Sequence, residues 1–238
     1  MRRFLKDVTP RLGRPETILV ISAHWEELKP MVTSGKQPAM IYDYTGFPPE
    51  SYQLTYPAPG NPDFAEALVT RIKNSGQTAW RHRQRGFDHG LYVPLTIMFP
   101  QAAIPCVQLS LMASLDPGSH LNLGKALSAI CRENILVLGS GFSFHNMRAL
   151  LAPNDAESDP RNDAFQDWLI RTCATDMPER EREHRLIEWE HAPSARYCHP
   201  REEHLLPLHV CYGLAQSKAE TVFDDTVMGK RSVAFLWR

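Results

Sequence analysis

The chain has 238 residues, 43% hydrophobic and 22% charged, which suits one well-buried α/β domain and is short for two. Its 26 basic and 27 acidic residues leave a formal charge of −1, so there is no electrostatic footprint for nucleic acid or an anionic membrane, and a small-molecule substrate fits better. Five cysteines (Cys106, Cys131, Cys173, Cys198, Cys211) without a CxxC pair argue against a disulfide framework and a cysteine zinc site, and with no apolar run of membrane-spanning length a cytoplasmic protein is expected.

Behind "MRRFLKDVTPRLGRP", which has basic residues but no apolar stretch of a secretion signal, comes "ILVISAHW" (18–25). A continuous apolar run bounded by small residues is how a central parallel strand reads, and the carboxyl end of such a strand opens onto the ligand crevice. That places His24 where ligands bind. Residues 37–62, rich in Pro, Gly and Tyr, read as an ordered loop over the crevice. In "NPDFAEALVTRIKNSG" (61–76), Asn61 caps, Pro62 suits the first turn, and Phe64, Leu68, Val69 and Ile72 share one face before Gly76, which predicts an amphipathic helix.

"AIPCVQLSL" (103–111) is a second predicted strand, 119–134 a helix and "ILVLGSG" (135–141) a third strand. Two helices are expected between 162 and 190, parted near "TDMPE", and another over "REEHLLPLHVCYGLAQ" (201–216) with Pro207 in or near its early turns. "ETVFDD" and "RSVAFLW" read as closing strands. Alternation of strands and helices predicts an α/β fold: a single-domain layer sandwich with a central, mostly parallel or mixed sheet and helices on both faces.

Four of the ten histidines sit where core packing explains them poorly: His24 in "SAHW", His89 in "GFDHG", His145 in "GSGFSFHN" and His204 in "PREEHLLPL". His24 and His145 each follow a buried strand, so both can reach one crevice. Glycines beside His89 and His145 allow the backbone to approach a ligand closely. His204 lies near the start of the last helix, pointing inward while Glu202 and Glu203 face water. His82, His120, His184, His191, His199 and His209 read as solvated or locally hydrogen-bonded. There is no HExxH, no GxSxG and no phosphate-loop lysine. What remains is a histidine cluster suited to iron, zinc or copper.

The ordered motifs "ISAHW", "IYDYTGFPPESY", "YPAPGNP", "GFDHG", "GSGFSFHNMR" and "HPREEHLLPL" resemble the LigB-type extradiol ring-cleavage dioxygenases, and most closely their 4,5-DOPA dioxygenase branch. The resemblance runs from about residue 16 to the C-terminus. It implies an Fe(II)-dependent enzyme (zinc often replacing iron in isolated protein) that opens a catechol ring with O2, as one LigB-like domain over 1–238; a homo-oligomer is a further expectation. By motif, His24 and His204 resemble the metal ligands, His145 the acid/base histidine, and His89 a histidine that contacts substrate or oxygen. One feature departs from the family pattern: no histidine precedes His24, whereas the family has a first short strand ending in an HGSP-like motif that supplies the third ligand. The expectation is that this strand lies upstream of Met1, its edge here covered by the first helix or a partner subunit. Hydrolysis at zinc and a non-redox, metal-poor binding protein are the competing functions.

Overall fold

The computed structural model describes residues 1–152 and 159–238. Its elements in chain order are α1 (Arg2–Val8), β1 (Thr17–Glu27), β2 (Met31–Thr33), α2 (Pro62–Asn74), β3 (Trp80–His82), α3 (His89–Met98), β4 (Cys106–Met112), α4 (Pro117–Ala126) and β5 (Ile135–Ser140). They continue with α5 (Met147–Leu150), α6 (Pro160–Ala174), α7 (Glu179–Ile187), α8 (Ala195–Cys198), α9 (Leu206–Ala215), β6 (Glu220–Val227) and β7 (Lys230–Leu236).

Five strands form a sheet in the order β3-β2-β4-β1-β5. β1 runs parallel to β4 and β5, whereas β2 joins β4 in antiparallel pairing, so the sheet is mixed with a parallel centre. Successive β1 residues point to opposite faces, and each face meets its own layer. Leu19 and Ile21 pack with residues of α2, α4 and α9, while Ile18 and Val20 pack with α1 and α3. All four are fully buried, worth about 1.5–3 kcal/mol each in removed apolar surface. The layer sandwich expected from the alternating pattern is therefore present, with helices on both faces.

Local chemistry explains most boundaries. The Asn61 side chain accepts from the Phe64 amide at 3.1 Å and Pro62 opens α2, whose buried stripe is Phe64, Ala65, Leu68, Val69 and Ile72. The helix expected over 119–134 stops at Ala126 and tightens into a 3-10 turn over Ser128–Arg132. That expected from residue 201 starts only at Leu206, because Pro207 belongs in a first helical turn and 201–204 form a turn instead. Helix α3 was not legible: Gly90, Val93 and Pro94 lower its propensity, and its side chains are apolar nearly all round.

The β6-β7 hairpin stands apart from the main sheet. Between β7 and β5, which is ladder-paired on one side only, runs a cavity of about 780 Å³. Phe4 of α1, Leu136 and Leu138 of β5, and Val233 and Phe235 of β7 line it, and it reaches His204. Helix α1 thus forms a wall of this slot rather than occupying it.

Candidate metal centre

His24 leaves β1 where its pairing is irregular. Ile21 stands opposite Leu109 and Glu26 opposite Leu111, so Ser22, Ala23, His24 and Trp25 share the place of one β4 residue, Ser110. Such a bulge bends the strand and re-aims its side chains. The amide of His24 donates to Ser22 Oγ at 3.2 Å, and that hydroxyl donates to Asp88 Oδ1 at 2.8 Å. Asp88 is fully buried and caps α3 by accepting from the Gly90 amide at 3.1 Å. His89, the first residue of α3, is thereby held beside His24, their ring centroids 3.8 Å apart. A Cβ on Gly90 would lie 2.5 Å from Ser22 Oγ and 3.0 Å from His24 Cδ2. The glycine therefore admits protein atoms here, not a ligand as the sequence suggested.

Two loops bring the other pair. After β5 the chain turns through 141–145, and the 199–204 segment lies against it: the Phe142 amide donates to the His204 carbonyl at 3.1 Å and the His145 amide to the Cys198 carbonyl at 2.9 Å. A Cβ on Gly141 would come 2.1 Å from that His204 carbonyl. Fully buried His199 donates from Nε2 to the Ser143 carbonyl at 3.0 Å and packs on Phe165 and Trp189, so it ties the loops together and is no substitute ligand. His145 stacks on His204 at 3.4 Å between centroids, and His204 meets His24 edge-on at 4.8 Å. The four histidines singled out from the sequence thus stand in one row: His89, His24, His204, His145.

Two carboxylates flank the row. Asp43, on the aromatic loop, accepts from both the amide (3.1 Å) and Nδ1 (2.8 Å) of His89. Glu203 Oε1 pairs with His145 Nδ1 at 3.0 Å. The expectation that Glu203 faces water is therefore corrected: the turn before α9 points it inward, and its Oε2 is buried, 3.5 Å from Arg201. Neither acid could be placed from sequence, because each meets its histidine only through tertiary contact. Burial pushes both carboxyls up, but hydrogen bonds from their histidines, among the opposing contributions, leave each below its ordinary value.

The donor set fits a metal. His24, Asp43 and His89 offer ligand atoms within 4.8 Å of one another, as do His145, Glu203 and His204. Burial, then the neighbouring His145 and His24, push His204 down to about 2; burial and His89 lower His24. Both rings stay neutral, as ligation requires. Nδ1 of His204 is buried without a hydrogen-bond partner, so no protein group competes for that nitrogen. At the His89 end of the row lies the loop of Tyr42, Tyr44, Phe47 and Tyr52, with Tyr44 edge-on to His89 at 5.5 Å. The other histidines set aside from the site include fully buried His120 and His209, which bond to backbone groups, and exposed His191.

Comparison with known proteins shows which family the chain resembles. Residues 2–235 match the family described as the catalytic LigB subunit of aromatic ring-opening dioxygenase. The chain is 38% identical to dioxygenase tasH of Hapsidospora irregularis, covering 94% of this chain and 72% of that one. It is 37% identical to the 4,5-DOPA dioxygenase extradiol of Beta vulgaris, over 93% of this chain and 83% of the relative, and 34% identical to the Escherichia coli protein of the same name, over 83% and 72%. The crystal structure of an uncharacterised Escherichia coli K12 protein superposes with a TM-score of 0.81 at 28% identity, covering 98% of this chain and 89% of the other. Among the described residues no helix is long and apolar enough to cross a membrane. With the matched family spanning nearly its whole length, the chain belongs to the LigB family of aromatic ring-opening dioxygenases.

Proposed function

We propose that this protein is a non-haem Fe(II)-dependent extradiol dioxygenase that opens the ring of a DOPA-like catechol with O2. The row of four imidazoles with a carboxylate at each end carries the reading. His24 and His204 would hold the metal, which when bound supplies a site that chelates the diol and activates O2. His145 serves as the acid/base: it takes a proton from a catechol hydroxyl and later returns one. His89 contacts the diol or oxygen from the other end. The Tyr42–Tyr52 loop provides aromatic faces for a flat ring at the His89 end.

Two imidazoles are few for a ferrous ion that must also leave room for substrate and oxygen. The third ligand, in this proposal, comes from an extended segment seated in the slot between β5 and β7. A strand as long as β5, ~20 Å, would pair with its open edge and end beside His204. The test of the function is anaerobic loading with Fe(II) followed by aerobic assay on a catechol panel. Metal-dependent oxygen uptake with a ring-opened semialdehyde product is expected; none on any catechol, with the metal bound, would overturn it.

A further inference from the structure

The two carboxylates could be metal ligands in their own right, or they could serve the histidines. Their hydrogen bonds decide. Asp43 Oδ1 already accepts two N–H groups of His89, and Glu203 Oε1 accepts from Nδ1 of His145 while its other oxygen lies near Arg201. Arg201 is held in turn by both oxygens of Glu26, each at 2.6 Å, so a charged chain runs from the end of β1 to His145. An ionised carboxylate only accepts hydrogen bonds, so its partner nitrogen must carry the proton. On the opposite side of each ring, Nε2 of His89 and of His145 has no hydrogen-bond partner among the described residues.

We infer that Asp43 and Glu203 are positioning residues, which hold His89 and His145 as Nδ1–H tautomers and leave an Nε2 lone pair at each end of the row. This rests on the function proposed above but is read by a different experiment. A hydroxyl proton taken by either ring leaves its bonding pair on the oxygen and forms an imidazolium facing a carboxylate.

Long-range ¹⁵N–¹H correlation spectra of the histidine side chains, recorded on zinc-loaded protein at mildly alkaline pH, report each ring's tautomer directly. In the wild type, His89 and His145 should both show the Nδ1–H pattern. Asp43→Ala should move His89 alone, and Glu203→Ala His145 alone, toward the Nε2–H pattern, with the zinc stoichiometry retained. Asp43→Asn and Glu203→Gln, which still present an acceptor oxygen, should restore much of the wild-type pattern. For ring opening, kcat should fall about 10–100-fold in the alanine variants with KM little changed. Nε2–H tautomers in the wild type would overturn the inference even if every variant failed to fold. So would loss of zinc from the carboxylate variants equal to that of His24→Ala, since the acids would then be ligands. Absence of catechol cleavage would bear on the dioxygenase reading and leave the tautomer result standing.

Discussion

His145 lies on His204 with ring centroids 3.4 Å apart and planes 18° from parallel, although one follows β5 and the other precedes α9. The two rings nonetheless differ in their surroundings. His145 has its outer nitrogen on Glu203, whereas Nδ1 of His204 is buried and bare. In the proposed function this contrast suits His145 to the part of a base and His204 to that of a ligand.

His24→Ala and His204→Ala should each lower metal occupancy while the fold persists, since neither ring is part of a hydrophobic cluster and no neighbour replaces the lost bond. Elemental analysis after gel filtration measures it. Full occupancy in both variants would move the metal elsewhere in the row.

Replacement of His145 by alanine should spare metal binding and cost about 10²–10⁴-fold in kcat, the usual worth of a general base. Zinc titration and oxygen uptake on the same preparation separate the two effects. If metal were lost as well, His145 would be a ligand.

The slot makes a comparison possible. Residues 1–238 should bind zinc more weakly than the same residues joined to a strand-forming segment that ends in a histidine, since the proposed segment would pair with the open edge of β5 and bring a ligand beside His204. Competition against a chromophoric chelator gives both affinities, and equality would remove the slot from the site.

Asp88→Ala should destabilise the fold by about 3–5 kcal/mol, the cost of breaking a buried ion pair on one side. The fully buried carboxylate accepts from Ser22, Gln108, Gly90 and Arg85, and its loss leaves those donors unpaired. Urea unfolding at neutral pH provides the number; a change under 1 kcal/mol would show that the network relaxes.

Acid should destabilise the protein through its buried histidines. Burial pushes His120 and His199 from about 6.5 down to about 4, and His120 Nε2 must stay unprotonated to accept from the Met112 amide at 3.0 Å. Between these values the unfolded chain binds protons that the folded chain does not. Stability is therefore complete above about pH 6.5 and falls toward pH 4 by up to ~1.4 kcal/mol per pH unit per group. Unfolding free energies across that window should slope less in His120→Gln; an unchanged slope would clear this ring of the effect.

The order of β1, α2, β4, α4 and β5 was readable from the sequence, though β2, β3 and α3 were not, because burial on two faces makes Ile18–Ile21 continuously apolar and an amphipathic helix repeats its stripe within a few residues, as at Phe64, Leu68 and Ile72. The four histidines that the fold gathers side by side were singled out from the sequence too, by the strand end before His24 and by the ordered motifs. Their partners were not. Asp43 reaches His89 and Glu203 reaches His145 through loops whose positions depend on the whole sheet, and no local pattern tells an inward glutamate from an outward one. The β1 bulge that turns His24, the slot beside β5 and the start of α9 at Leu206 are likewise decided by pairing between distant segments. Sequence periodicity records which face of an element is buried; which side chains meet across a crevice is set by tertiary contact alone.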